Sequence, residues 1–382
     1  VLSPVDLGNY FFWLAVSSVL VVLANARLDT AIFNARSEEE VLNLLRLIIV
    51  CAAAMTAAFV VLASANTVDG ELFAGAELIQ RHSISLGLFT FATAVHGSLL
   101  AVMVYRAQFT SLSWAKVLVA GVLAGLQLIV SLAGSGGAGL MWAHLATTLL
   151  AIVLAIHWTN TRPKELAQDF SWAGIWGALR SNYRFPLIAM PAGLINTLAL
   201  QLPLFLVVSR FGMTAMAFYA LTVRAMSAPI SLVANSVLTV YKQQAARDFR
   251  EKGNCVDAYQ QALKTLSMLA IVPFVIVILF GEALFRLVFG ASWAPAGRFA
   301  EILAPLFFLK FVASPLGYTF FIANRQAHDL FWQIGLLVMT WASFGLAPTI
   351  EDAVKAYSFG YSLMYLVYLG LSYRSARGVG AA

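Results

Sequence analysis

Stretches of about twenty apolar residues recur from one end of this chain to the other, and that recurrence restricts its fold more than any other feature. A helix rising ~1.5 Å per residue needs roughly 20 residues to cross a hydrocarbon core of about 30 Å. Backbone groups in lipid must be satisfied within the spanning segment, which makes the helix the natural element. An apolar window places spans over 8–26, 42–64, 84–105, 115–133 and 138–158, then over 187–209, 213–240, 262–281, 299–322, 330–347 and 352–372. The prediction is an all-α integral membrane protein with about 11 transmembrane helices. Charged residues make up only 11% of the 382, so no stretch is left over that reads as a soluble domain.

Lysine and arginine set the orientation, because basic flanks stay on the cytoplasmic side. Of the 24 in the chain, seventeen fall in one set of alternating loops, among them Arg27, Arg36, Arg106, Arg162, Lys164, Arg180, Arg184, Arg247 and Arg374. Five fall in the other set, Arg81, Arg210, Arg286, Arg298 and Lys355, and Arg224 and Lys310 lie inside spans. This asymmetry puts the C-terminus in the cytoplasm and accounts for the net charge of +6 without a nucleic-acid partner. An odd number of spans then puts Val1 outside with no signal segment to carry it there, so a further span is expected before it. The expected organisation is an N-terminal lobe over 1–158 with five spans in view, a cytoplasmic interfacial linker over 159–186 and a C-terminal lobe of six spans over 187–382, with 12 helices in the full-length protein. A faint internal echo fits a duplication. Leu7, Gly8, Asn9 and Tyr10 resemble Met216, Ala217, Phe218 and Tyr219, and each set is followed by an Ala-Asn pair, Ala24-Asn25 and Ala234-Asn235. In the linker, Trp172, Ile175, Trp176 and Leu179 recur at helical spacing beside Arg180 and Arg184, the pattern of a helix lying flat at a membrane surface.

No catalytic motif is present: the chain has no HExxH, no GxSxG and no phosphate-cradling glycine loop. Gly134 to Gly139 reads as a tight turn. Cys51 and Cys255 lie on different segments and offer neither metal-ligand spacing nor a disulfide framework. The informative residues are the charges inside spans, since a cation at the centre of one costs at least ~2.5 kcal/mol and should face a wet interior. Arg224 follows Met213 by eleven residues and Lys310 follows Phe299 by eleven, which reads as two cations near one depth, a receptor for a diphosphate or else structural ion pairs. At the end of the first span Asn25, Arg27 and Asp29 cluster near Arg36, where a lipid headgroup would arrive; plain positive-inside anchoring explains Arg27 equally well. Asn196 and Gln201 serve either interhelical hydrogen bonding or substrate contact. Glu301 next to Arg298, and Asp29, are the candidates for proton or sodium coupling, against simple charge neutralisation; no other cofactor is expected. Pro186, Pro191, Pro203, Pro229, Pro273, Pro305 and Pro315 predict kinked helices in the second lobe.

The run Tyr183-Arg184-Phe185-Pro186, then Asn196, Gln201, Leu202, Pro203, Phe211, Gly212, Tyr219, Arg224 and Pro229, resembles the polysaccharide-biosynthesis flippases. The likeness continues through Phe289, Gly290, Trp293, Ala296 and Gly297 to Ser314-Pro315-Leu316, and the opening, Leu2-Ser3-Pro4, Asp6-Leu7-Gly8, Arg27, Asp29 and Ser37 to Glu40, is similar to the same family. That family falls within the multidrug, oligosaccharidyl-lipid and polysaccharide exporter superfamily. The resemblance implies two six-helix lobes in a V around a central cavity, alternating access, and a Wzx-type translocase of the bacterial inner membrane. The implied cargo is an undecaprenyl-diphosphate-linked oligosaccharide such as an O-antigen unit. Membrane lipids and other polysaccharide-assembly proteins are the implied partners, and Arg224 and Lys310 fit the cationic cavity. A multidrug or metabolite exporter of the same fold is the first alternative and predicts buried carboxylates. A membrane-embedded polymerase or ligase is the second and calls for a sizeable outside loop, whereas the outside connections near 65–83 and 282–298 are short.

Overall fold

The computed structural model describes residues 2–65, 75–159, 166, 171–323 and 325–378, with the side chains of 229–232, 326, 327, 329 and 330 left aside. Arg162 and Lys164, and with them much of the expected linker, lie outside the described residues, as does the side chain of Pro229. The chain is 91% helical and contains no strand among the described residues. Its principal helices are α1 Pro4–Asn25, α2 Glu38–Ser64, α3 Ser83–Tyr105, α4 Phe109–Leu132, α5 Gly136–Thr159, α6 Trp172–Ser181, α7 Met190–Lys252, α8 Val256–Phe289, α9 Ala294–Leu316, α10 Gln326–Leu346 and α11 Ile350–Ala376.

The sequence explains where several of these begin. The hydroxyl of Ser3 accepts the Asp6 amide at the start of α1, with Pro4 pre-set for the first helical position. Ser37 caps α2 in the same way ahead of Glu38, Glu39 and Glu40, whose charges suit the positive end of a helix. Ser171 caps α6 and Thr349 caps α11. Each of the eleven spans read from the sequence coincides with a helix or a limb of one. Among the described residues eight helical segments are long and apolar enough to cross a membrane, and one of them, the 44-residue Phe185–Ala228, takes in the span expected over 187–209 and the first part of that expected over 213–240. Gly212 divides them. Its φ of 82° and ψ of 176° interrupt α7 between the spans expected over 187–209 and 213–240, a backbone conformation open to glycine and strained for other residues. Pro273, Pro305 and Pro315 are carried inside continuous helices, and Pro186 sits in a π turn over Phe185–Ala189.

Two compact units divide the chain, 1–201 and 202–382. The first therefore includes the segment 187–201, which the sequence groups with the second lobe. In this unit α3 packs against α1, α2 and α5, while α4 leans on α5 and is only 6% buried over its most apolar stretch, against 56% for α3. In the second unit α9 is central, 61% buried, and packs against α8 and α11. The α8–α9 contact depends on two glycines. A Cβ on Gly297 would meet the Gly281 carbonyl oxygen and the Glu282 Cα at 2.5 Å, and a Cβ on Gly281 would meet the Gly297 carbonyl oxygen at 2.9 Å. Small residues permit such close approach between helices in lipid, where packing replaces the hydrophobic effect as the driving force.

Candidate functional site

In the first unit the chain leaves α1 through two consecutive left-handed residues, Ala26 (φ 47°) and Arg27 (φ 57°), and re-enters a short helix, Leu28–Ala31. This turn swings Arg27 away from the buried Ala24, Leu28 and Ala31 and against the beginning of α7. The guanidinium lies directly over Gly193: a Cβ there would meet Arg27 Cζ at 2.8 Å and Nη2 at 2.7 Å. Arg27 is half-buried, and among the described residues its guanidinium makes no hydrogen bond or ion pair. Asp29, two residues on, is not within salt-bridge distance of it. One carboxylate oxygen of Asp29 and the side-chain oxygen of the buried Asn25 are enclosed without a hydrogen-bond partner. Burial raises the Asp29 carboxyl above its ordinary range, opposed by the Thr30 amide and by the charge of Arg27. Asn196 is exposed one turn past Gly193, and Gln201 is half-buried at the end of the unit. Arg27 thus lies against Gly193, one helical turn before Asn196, and Asp29 follows Arg27 by two residues.

Replacing Gly193 by alanine should push the Arg27 guanidinium aside, since Arg27 atoms are the three nearest to the added Cβ. The side chain is flexible, so the structural cost is small and a melting temperature close to the parent's is expected. Gly177→Ala, at a position with nothing within 4 Å, is the control. Thermal unfolding of both variants beside the parent checks this.

In the second unit two hydrogen bonds tie the 213–252 limb of α7 to α9 and to the short helix Thr319–Ile322 just past its end. Thr222 Oγ1 donates to the Ala296 carbonyl at 2.7 Å, and Tyr241 and Thr319 share a hydroxyl bond at 2.5 Å, so the two helices run in the same direction. Arg224 lies two residues past the first tie and Lys310 fourteen past it. At ~1.5 Å per residue, Lys310 is displaced along the pair by about 18 Å counting from the first tie and about 12 Å counting from the second. The two cations are thus on one helix pair but at different levels, with Lys310 closer to the level of Asn235. Counting each from the start of its own span puts them at one depth, but the α7 limb begins farther out than α9 does. Both side chains are exposed. Lys310 Nζ sits over the Phe307 ring at 5.7 Å and has no acidic partner among the described residues.

Glu301 is engaged elsewhere. Its carboxylate accepts the Glu282 amide at 2.9 Å and pairs with Arg298 at 3.4 Å; Arg298 also faces Glu351 at 3.8 Å, which pairs with Lys355 at 2.8 Å, and Glu282 pairs with Arg286. This is a chain of charges at the Gly290 end of the unit, beside a cavity of about 680 Å³ between α8 and α9. At the other end Cys255 is buried, and burial, helped by the charge of Asp248, pushes its thiol up to about 11, so it stays protonated at neutral pH.

Sequence reasoning passed over three groupings. Gly193 gives no sign in the sequence that it underlies Arg27. The phenols Tyr357, Tyr361, Tyr365 and Tyr368, spaced four, four and three apart, do signal one helix face, and they form an aromatic column with Phe344 and Trp332 inside the second unit. In the first unit Tyr10, His144 and Gln127 form a hydrogen-bonded group, 2.8 and 2.6 Å apart, beside Trp13 and Phe89.

Residues 1–298 match the family model described as polysaccharide biosynthesis protein. The chain belongs to that family. No curated protein matches it in sequence. Among solved structures this family member is similar to a protein described as lipid II flippase MurJ in an inward closed conformation, with a TM-score of 0.72 at 14% identity over 96% of this chain and 81% of that one. It is likewise similar to a multidrug resistance MATE family transporter of the MOP superfamily in its inward-facing conformation, with a TM-score of 0.71 at 14% identity over 97% and 90% of the two chains. An outward-facing structure of such a transporter gives 0.56 at 14% identity over 97% and 85%. The polysaccharide-biosynthesis protein described here is a multi-pass membrane protein with the all-helical MATE and MurJ fold.

Proposed function

We propose that the protein is a flippase that carries undecaprenyl-diphosphate-linked oligosaccharide repeat units, O-antigen or another surface-polysaccharide precursor, from the cytoplasmic to the periplasmic leaflet of the bacterial inner membrane. The observation that carries this reading is Lys310, a cation inside a span, exposed, with an aromatic ring and no carboxylate beside it among the described residues. Keeping such a charge in a membrane is costly unless an anion or water meets it. A diphosphate head supplies the anion, and its prenyl tail, at ~0.8 kcal/mol per buried CH₂, stays in lipid throughout. The cytoplasmic orientation of the C-terminus comes from the lysine and arginine asymmetry. On that orientation Arg27 receives the head in the first lobe, Asn196 and Gln201 contact its sugar, and Lys310 and Arg224 act as successive stations, the first deep and the second farther out.

Alternating access of the two lobes moves the head, with no bond made or broken by the protein and no resident cofactor. For proton coupling Asp29 is the better candidate of the two considered, because its carboxylate is partly enclosed and unsatisfied, whereas Glu301 is held by Arg298 and the Glu282 amide. Membrane lipids and other polysaccharide-assembly proteins are its proposed partners.

The fold shared with multidrug transporters keeps a cation-coupled exporter as the alternative. The deep charge here has the wrong sign for a cationic drug. The test is transbilayer movement of a fluorescent undecaprenyl-diphosphate glycan in liposomes holding the full-length protein, run beside efflux of a lipophilic dye cation under proton and sodium gradients. Glycan movement above protein-free liposomes is the expected result. Dye efflux without glycan movement would overturn the assignment in favour of the exporter.

A further inference from the structure

The helix α6 and the π turn after it carry a surface that transport of a headgroup does not use. Ile175 and Ala178 bury one side of α6 against the Val41, Leu44 and Leu45 cluster of α2. The other side turns out Trp172 and Trp176, 67% and 65% exposed, and the exposed apolar surface runs on through Tyr183, Leu187 and Ile188. Two tryptophans so exposed on one short helix belong at a lipid headgroup boundary, where the ring is apolar and its N–H stays wet. Between α6 and the π turn opens a groove of about 750 Å³ lined by Trp176, Leu179, Arg180, Tyr183, Pro186 and Leu187. Its walls are apolar, and its one charged lining residue is a cation. Arg180 and Arg184 are exposed with no acidic partner among the described residues.

We propose that this groove is a binding site for an anionic glycerophospholipid of the surrounding leaflet. Arg180 takes its phosphate from the groove wall, Arg184, four residues on and exposed, adds a second positive charge, Trp176 and Tyr183 flank the glycerol, and an acyl chain runs along Leu179, Pro186 and Leu187. Charge complementarity selects the occupant: one guanidinium on the wall of an apolar trough, with a second exposed cation four residues on, suits a single phosphodiester on a diacyl body, and a zwitterionic lipid offers no net charge to pair. The groove opens on the exposed face of α6 that carries Trp176 and Arg180, with Leu179 between it and the side packed on α2. The site is independent of the cargo and holds whether the protein moves a lipid-linked sugar or a drug. A bound lipid there would pin α6 to the membrane surface at the segment leading into α7.

Native mass spectrometry of the purified full-length protein, titrated separately with phosphatidylglycerol, phosphatidylcholine and undecaprenyl diphosphate, tests this. The expected result is at least about five-fold tighter retention of phosphatidylglycerol than of phosphatidylcholine, lost in the double variant Arg180→Ala/Arg184→Ala and kept in Arg180→Lys/Arg184→Lys. Both arginines are exposed, so the variants should elute and unfold as the parent does, and circular dichroism verifies this. Equal retention of the two phospholipids, or a preference that survives the double alanine variant, would overturn the proposal. So would displacement of phosphatidylglycerol by undecaprenyl diphosphate that depends on the same two arginines, since the groove would then be a cargo site.

Discussion

Replacing Gly297 with leucine is expected to leave little or no folded protein. Its α-hydrogen faces the backbone of α8, and a Cβ would stand 2.5 Å from both the Gly281 carbonyl oxygen and the Glu282 Cα, atoms that cannot rotate away. The two helices would have to separate, and α9 is the central helix of its unit, so separation there disturbs its packing against α11 as well. Overpacking typically costs about 1–3 kcal/mol when side chains give way, and more is expected where only backbone can. Gly297→Ala should already lower the melting temperature clearly, and Gly281→Val should behave like it. Gly370, with nothing within 4 Å, is the contrast: Gly370→Ala should be neutral or stabilising by up to ~1 kcal/mol through helix propensity. Thermal unfolding in one detergent and the yield of monodisperse protein read both outcomes. A Gly297→Leu variant with parental stability would mean that the α8–α9 approach is looser than the structure has it.

Lys310→Ala should reduce glycan translocation at least about ten-fold while leaving the protein folded. Its charge has no structural partner to strand among the described residues, so removing it relieves a cost of order ~2.5 kcal/mol of membrane burial and should preserve or raise stability. That pairing of outcomes, lost transport with retained or improved stability, distinguishes a cargo contact from a scaffold residue. Lys310→Arg should retain part of the activity, and Lys310→Glu none. Because Arg224 lies roughly 12–18 Å away along the helix pair, Arg224→Ala is expected to impair a different step: glycan retained by the protein, measured by co-purification, should fall with Lys310→Ala and persist with Arg224→Ala. Equal loss of retained glycan in both variants would contradict the two-station arrangement.

The spans were legible in the sequence because lipid imposes length and composition on every crossing; even the break inside α7 was visible as polar Ser209 and Arg210 followed by Gly212. The helix starts at Ser3, Ser37 and Thr349 went unread, although each cap hydroxyl is local chemistry that the sequence carries. The level of the two cations was not legible, since residues counted from a span boundary say nothing about how far one helix is slid past its neighbour; the Thr222–Ala296 bond sets that slide. Pro273, Pro305 and Pro315 did not end their helices, because a long helix tolerates proline where neighbouring groups meet the freed carbonyl. The glycines that matter, Gly193, Gly281 and Gly297, look like any other of the 26 in the chain. Their role lies in what stands opposite them, which is tertiary information.

The segment 187–201 belongs by its contacts to the first unit, although its helix runs on unbroken into residues of the second. A gene cut in the stretch between α5 and α6 and expressed as two pieces would leave the first piece without the helix start that covers Arg27. It would give the second piece a helical arm that belongs on its partner. Two such pieces should assemble by arm exchange, and in excess the second piece should be the one that captures foreign copies of the first. A cut placed after Gln201 would keep each unit whole but sever a helix in mid-course. Split-reporter designs for this protein should therefore favour the first cut, with the arm serving as the natural tether between halves.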